Sequence, residues 1–408
     1  MTRHPSIAEE IYRRSSEARR VVSRYARKTP IDHSSTFSRI SEADVYLKYE
    51  NLQRTGSFKV RGAIYKVSKL ARAVEGVVTA SAGNHAQGVS YAASVYGLKA
   101  VIVMPATASI SKIEATRGYG AEVVLHGSNY NEAEAKAFEI ARERGYELIH
   151  PFDDMDVIAG QGTIGFEILE DLPSMDAVIV PMGGGGLISG IASVVKKLRP
   201  STKVIGVEPE NVPKFTVSLK NGRIVEVEMK PTIADGLAVK RPGRLAFDIV
   251  SSLVDDVVTV SEEEIAEAMY LLLERGKVLA EGAGAASLAA VISGKMRLKN
   301  KKLVVLVSGG NVDLTAIYRL LLRGLARAGR IASIRGYVPD VPGTLSKISG
   351  VVASMGGNIV EVIHERTDMR APAWHTALRL VVEVPSKERV KEMLDALNGM
   401  GYMFELEE

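Results

Sequence analysis

The sequence predicts an α/β protein with parallel sheets, followed by a smaller βαββαβ unit of ferredoxin-like order. Three observations lead there. Short unbroken apolar runs alternate with amphipathic stretches through most of the chain, as in sheets covered by helices on both faces. Near residue 325 this alternation gives way to a different order of strands and helices. The chain has 408 residues, more than one ordinary domain of ~150 residues holds.

In chain order, the first part reads as strands at 45–49, 76–79, 100–104, 122–125, 177–180, 203–207 and 303–307. Amphipathic stretches such as 131–144 and 188–198 lie between them. The region 76–150 reads as a small subdomain inserted in a larger one spanning 1–325. A basic, Leu/Ala-rich helix end at 320–330 precedes the second part. Over 331–408 the order is strand 331–337, helix 343–355, strands 359–365 and 376–384, helix 387–400 and strand 402–406, a βαββαβ unit.

Composition narrows the function classes. Hydrophobic residues make up 46% and charged residues 25%, which is ordinary globular usage with ample core material. The net charge of +4 is small, and basic residues are spread among acids, so neither a nucleic-acid nor a membrane partner is expected. There are no cysteines, which excludes disulfides, thiolate metal sites and a cysteine nucleophile. No run of ~18 apolar residues suggests a spanning helix. The N-terminal stretch carries Arg13, Arg14, Arg19 and Arg20 with Glu9, Glu10 and Glu17. It reads as a solvated helix rather than a signal or transit peptide, so a cytoplasmic location is expected.

Four motifs carry chemistry. Ser57-Phe58-Lys59-Val60-Arg61-Gly62 follows a strand and a polar loop. Lys59 alone reads equally as a surface lysine, yet an amine of lowered pKa in a pocket can condense with a carbonyl cofactor. Ser81-Ala82-Gly83-Asn84-His85 follows a strand and opens an Ala-rich helix, where backbone N–H groups face an anion such as a carboxylate. By itself His85 reads as a structural histidine. His33, His126, His150, His364 and His375 show no metal-ligand spacing, so no metal is expected. Gly183-Gly184-Gly185-Gly186-Leu187 stands between a strand and a helix. Four glycines in a row are entropically unfavourable and hard to justify by packing, but suit backbone wrapped around a phosphate. Ser308-Gly309-Gly310-Asn311-Val312-Asp313 directly follows the strand at 303–307, and alone it could be a turn.

Taken together, these motifs resemble the fold-type II pyridoxal-phosphate enzymes, in the branch of threonine dehydratases and serine racemases. The resemblance covers roughly residues 1–325, and the stretches at 152–154 and 157–163 match as well. It implies pyridoxal 5'-phosphate as cofactor and Lys59 as the lysine that binds its carbonyl. It further implies that Asn84 bonds the cofactor's 3′-oxygen, Gly183 to Leu187 hold its phosphate, and Ser308 bonds its ring nitrogen. Phe58 would lie against the ring, with Gly236 and Glu281 at its other edge. Ser81, Gly83, Asn84 and His85 would receive the substrate. The expected reaction is loss of water and then ammonia from L-threonine, with L-serine as a further substrate and Lys59 as the base.

Two positions choose within the branch. Its racemases carry a serine directly before the glycine of the Ser81–His85 loop, as an acid/base for the opposite face. Here that residue is Ala82, which favours the dehydratase. Its metal-binding members place an aspartate six residues after a glutamate. Here Glu208 is followed by Lys214, so no divalent ion is expected there. The C-terminal unit resembles an ACT domain through Val341-Pro342-Gly343 and Gly357-Asn358. That implies an amino-acid effector at Pro342, Gly343, Gly357 and Asn358, with a role in dimerisation as the alternative. A homo-oligomer, dimer or tetramer, is the expectation. Two further readings stand beside the dehydratase: an amino-acid racemase, and a non-catalytic amino-acid sensor.

Overall fold

A computed structural model describes residues 6–407. The extreme N-terminus, residues 1–5, where no signal peptide is read, lies outside the described residues. The chain divides into two compact units, Met1–Asp313 and Leu314–Glu408.

The first unit contains β1 (Ile31–His33), β2 (Asp44–Tyr49), β3 (Gly76–Ala80), β4 (Lys99–Met104), β5 (Glu122–Leu125), β6 (Glu147–Leu148), β7 (Ala177–Pro181), β8 (Lys203–Pro209), β9 (Asp256–Val260) and β10 (Lys302–Val307). They form two sheets. The larger has the order β1-β2-β10-β7-β8-β9, and the smaller β5-β4-β3-β6. Apart from the antiparallel pair β1–β2, the ladders are parallel. The continuous apolar runs have a simple cause: every residue of β3 and β7 is buried, because helices cover both faces. β1, β6 and β9 escape a sequence reading. β1 and β6 are very short, and β9 is a half-buried edge strand of mixed polar and apolar residues.

β10 is the last strand of this unit but lies between β2 and β7 in the sheet. The order of strand addition therefore reverses at β10 while all three strands stay parallel, leaving a crevice at their carboxyl ends. Lys59 comes after β2, Ser308 directly after β10, and Gly183 two residues after β7. One feature of topology thus gathers three of the four motifs. The fourth, Ser81 onward, directly follows β3 of the smaller sheet.

The second unit has strands β11 (Ile331–Pro339), β12 (Asn358–Glu365), β13 (His375–Glu383) and β14 (Met403–Leu406). They form an antiparallel sheet of order β12-β13-β11-β14. Helices Thr344–Ser354 and Lys387–Gly399 complete the βαββαβ order. Ile334, Val338, Ile348, Val352, Leu380 and Leu397 form its core. β11 alternates buried with half-buried positions along its whole length, as a strand with one covered face must. The boundary differs from the sequence reading, which set it at 325–331. Helix Leu314–Arg327 is grouped with this unit. Ile317 and Leu320 are its buried residues.

Candidate active site

Lys59 opens helix Lys59–Leu70. The start of that helix is stitched to the end of β10. Phe58 N–H donates to Ser308 O at 3.1 Å, and Ser57 bridges to Gly309. Lys59 keeps part of its surface open, and its Nζ donates to Pro151 O at 2.8 Å. The Phe58 ring centroid is 5.3 Å from the same nitrogen. Burial pushes the Lys59 amine down to about 8, with the nearby Glu281 carboxylate opposing it. A lysine so shifted is a competent base and nucleophile near neutral pH.

Asn84 opens helix Asn84–Tyr96, and its amide is clamped from both ends. Its Nδ2 donates to Glu281 Oε1 at 2.6 Å, and its Oδ1 accepts from Asn311 Nδ2 at 2.7 Å. Asn311 Nδ2 also donates to Thr55 O at 2.7 Å. Since Asn84 Oδ1 is already engaged, the NH2 group is the end left to meet a further acceptor. Asn311 is a site residue to which sequence reasoning assigned no role. Its signal was its place in the Ser308–Asp313 run. Glu281 caps the start of helix Gly282–Ile292. Burial pushes its carboxyl up to about 8, the Asp235 charge adds to this, and the Asn84 bond opposes it.

His85 is buried, and burial pushes its imidazole down to about 3, helped by Lys59. The ring is therefore neutral. Nε2 lies 3.1 Å from Ile149 O and so carries the proton, while Nδ1 is buried without a partner. A carboxylate needs donors, so what position 85 can offer it is the backbone N–H at the helix start. Ser81 Oγ accepts from Gly83 N–H at 3.2 Å, fixing the turn before that helix. Nothing within 4 Å would meet a Cβ at Gly83, so that face of the loop is open.

The tetraglycine leads into helix Gly186–Leu198. Among the described residues, no protein acceptor takes the amide N–H of Gly184, Gly185, Gly186 or Leu187. These donors stand at the positive end of a helix. The expectation that packing gives no reason for the glycines needs correction. A Cβ at Gly184 would lie 2.2 Å from the Phe152 ring, at Gly185 2.5 Å from Phe215, and at Gly186 2.6 Å from Phe152 O. Gly185 also has φ +96°. Packing and anion binding both demand the missing side chains, because the loop is pressed from behind by two aromatic rings.

Ser308 is buried, and its Oγ donates to Ala283 O at a long 3.3 Å. Gly236 adjoins Ala283, Glu281 and Gly183: a Cβ on it would lie 3.0 Å from Ala283 Cβ and 3.7 Å from Glu281 Oε1, and its own oxygen is 3.0 Å from the Cβ position of Gly183. Phe58, Lys59, Asn84, Gly183 to Leu187, Gly236, Glu281 and Ser308 thus border one crevice. Pro342, Gly343, Gly357 and Asn358 belong to the second unit. Gly343, at φ +91°, caps helix Thr344–Ser354. A Cβ at Gly357 would meet Met393 Cε at 2.8 Å, and Asn358 is exposed at the start of β12. Among the described residues no three His, Asp or Glu side chains converge as for a metal.

An amine of lowered basicity beside a phosphate-sized cradle of amides defines a class of enzyme that works through an aldehyde cofactor. Residues 22–309 match the model of the family described as "Pyridoxal-phosphate dependent enzyme", and the chain belongs to that family. It is similar to L-threonine ammonia-lyase from Thermotoga maritima, with 47% identity over 388 residues, 95% of this chain and 96% of that protein. Among solved structures it is similar to the processed form of threonine deaminase isoform 2 from Solanum lycopersicum. There the TM-score is 0.74 at 38% identity, covering 78% of this chain and 93% of that one. Maize serine racemase has a TM-score of 0.73 at 35% identity, covering 78% and 98%. The residues fit the cofactor: a part-exposed amine for its carbonyl, four unpartnered amides for its phosphate, and a clamped NH2 group and a buried hydroxyl for its ring.

Proposed function

We propose that the protein converts L-threonine to 2-oxobutanoate and ammonia, and L-serine to pyruvate as a second reaction. When bound, pyridoxal phosphate supplies a carbonyl for amine exchange and a ring that takes up the electron pair released at Cα. The protein does the rest. Lys59 takes the Cα proton once its amine is free. The amides of Gly184 to Leu187 would hold the phosphate, Asn84 would offer its NH2 group to the ring oxygen, and Ser308 would offer a neutral partner to the ring nitrogen. Backbone N–H groups at the start of helix Asn84–Tyr96 orient the substrate carboxylate. Phe58 would lie against the ring. One water leaves with the β-hydroxyl and one is taken up in hydrolysis, so the net products are the oxo acid and ammonia.

The observation that carries the choice of elimination is Ala82. The fold is equally similar to a deaminase and a racemase, but racemisation needs a proton donor on the second face, and a methyl group donates none. The 47% identity with an L-threonine ammonia-lyase across nearly the whole chain supports threonine as substrate. The reading extends to the second unit. Its βαββαβ order and its loops at Pro342-Gly343 and Gly357-Asn358 favour an amino-acid effector, isoleucine or valine, acting in a homo-oligomer. The test is ammonia release from a panel of L-amino acids, with and without isoleucine and valine. Release from threonine, changed by one of the two, is the expected result. Release from neither threonine nor serine sinks the catalytic reading, and a rate indifferent to effectors sinks the regulatory one.

A further inference from the structure

Behind the glycine loop lie two charges that the reaction does not use. Lys214 opens helix Lys214–Lys220, Glu208 lies in β8, and both side chains are 0% exposed. Lys214 Nζ donates to Met182 O at 2.7 Å, and lies 3.4 Å from both Val212 O and Glu208 Oε2. The carboxylate also accepts Phe215 N–H at 3.0 Å and Thr216 N–H at 2.8 Å. A positive charge ringed by two carbonyls and a carboxylate has the all-oxygen donor set of a hard-cation site. Here the cation is covalently part of the chain.

The position of this site matters more than its strength. Met182 immediately precedes the loop, and its own N–H is held by Val207 O at 2.7 Å. Its carbonyl direction sets the plane of the peptide to Gly183. Phe215, next after Lys214, supplies the ring that faces the Cβ position of Gly185. Two consecutive residues therefore bear on the loop, one by charge and one by contact. For stability alone a well-packed apolar pair would serve as well as a buried ion pair. An ion pair does what an apolar pair cannot: it fixes the direction of a carbonyl.

We propose that the Lys214 ammonium is a tethered cation that positions the glycine loop, aiming the amides of Gly184 to Leu187 at the cofactor phosphate. Lys214 is a positioning residue, acting through Met182. The proposal rests on the reading of that loop as the phosphate cradle. Burial lowers the amine to about 8 against the opposing Glu208 charge, which leaves it charged at neutral pH.

The experiment uses full-length Lys214→Ala, whose truncated side chain leaves room beside Glu208 for a small cation. Binding of pyridoxal phosphate is titrated by absorbance in choline chloride, then in ammonium, methylammonium or potassium chloride, with the wild type alongside. Affinity in choline should fall ~10- to 100-fold, the scale seen when a supporting partner of a bound group is removed. A small cation should restore most of it in the variant and change the wild type little. A purely structural role predicts no rescue. Wild-type affinity in choline overturns the proposal, as does a loss that no small cation repairs. If Lys214→Ala does not fold, Lys214→Met, similar in reach and without charge, decides: unchanged affinity overturns the proposal, as does an affinity loss that goes with a loss of native circular dichroism, and reduced affinity in a natively folded chain supports it. A wild-type chain that binds no pyridoxal phosphate would instead overturn the cofactor reading itself, a distinguishable result.

Discussion

Lys59 and Lys214 both open a helix of the first unit, and burial pushes both amines down to about 8. Their surroundings differ. Lys214 is fully enclosed and gathers three oxygen acceptors. Lys59 keeps open surface and donates to one carbonyl, Pro151 O. An ammonium has three protons to give, so Lys214 is satisfied in place while Lys59 has donor capacity to spare. A lowered pKa alone does not separate a reactive lysine from a structural one. The count of hydrogen bonds already made, and access to a crevice, does.

The largest effect that tests this contrast is on turnover. Lys59→Ala should abolish the absorbance band near ~410 nm and lower kcat by at least the ~10²–10⁴-fold contribution of a positioned base, with circular dichroism unchanged. Normal turnover would end the assignment of Lys59. Stability should show the opposite ranking. Lys214→Met leaves the Glu208 carboxylate buried without its cation, and urea unfolding should report a loss of ~3 kcal/mol, as for one partner removed from a buried pair. Lys59→Met should leave cofactor-free stability level or raised, because it removes an amine that burial disfavours. Equal losses in the two variants would break the comparison.

A third, smaller effect is in pH. The folded Lys59 amine, at about 8, lies below its ordinary value of ~10.4. Between these values the unfolded chain binds more protons, so stability contributed by this group rises with pH. Below about 8 both states are protonated and the contribution is flat. The difference in unfolding free energy between wild type and Lys59→Met should therefore climb in favour of the wild type from pH 8 to 10. A flat difference would mean that the amine is not shifted. Smallest of all should be Glu281→Gln. Its carboxyl is pushed up to about 8 and is mostly protonated at neutral pH, and the amide oxygen can still accept from Asn84. Its pH–rate profile should nearly overlay that of the wild type near pH 7. A large displacement would show that Glu281 is charged beside Lys59.

Much of this protein is written locally in its sequence. Strands buried on both faces must be continuous apolar runs, so β3, β4, β7, β8 and β10 are legible; β2 and β5 show shorter apolar runs although they are only partly buried. Glycines and small residues at strand ends mark the loops that need bare backbone; Ser308 stands in one of them, and Lys59 and Asn84 open helices. Ala82 is legible as a missing proton donor. What tertiary structure alone decided are the contacts between residues far apart in the chain. β10 inserts between β2 and β7 and so brings Ser308 to Phe58. Phe152 and Phe215 press on the tetraglycine, giving it a packing reason that its own residues do not disclose. Asn311 reaches Asn84 across 227 positions, and Lys214, legible only as a cation where an aspartate was expected, is buried on the carbonyl of Met182. Periodicity and local turns depend on neighbours a few residues away, and a linear reading recovers them. Hydrogen-bond partners and steric neighbours depend on which strands lie side by side, and only the folded chain determines that.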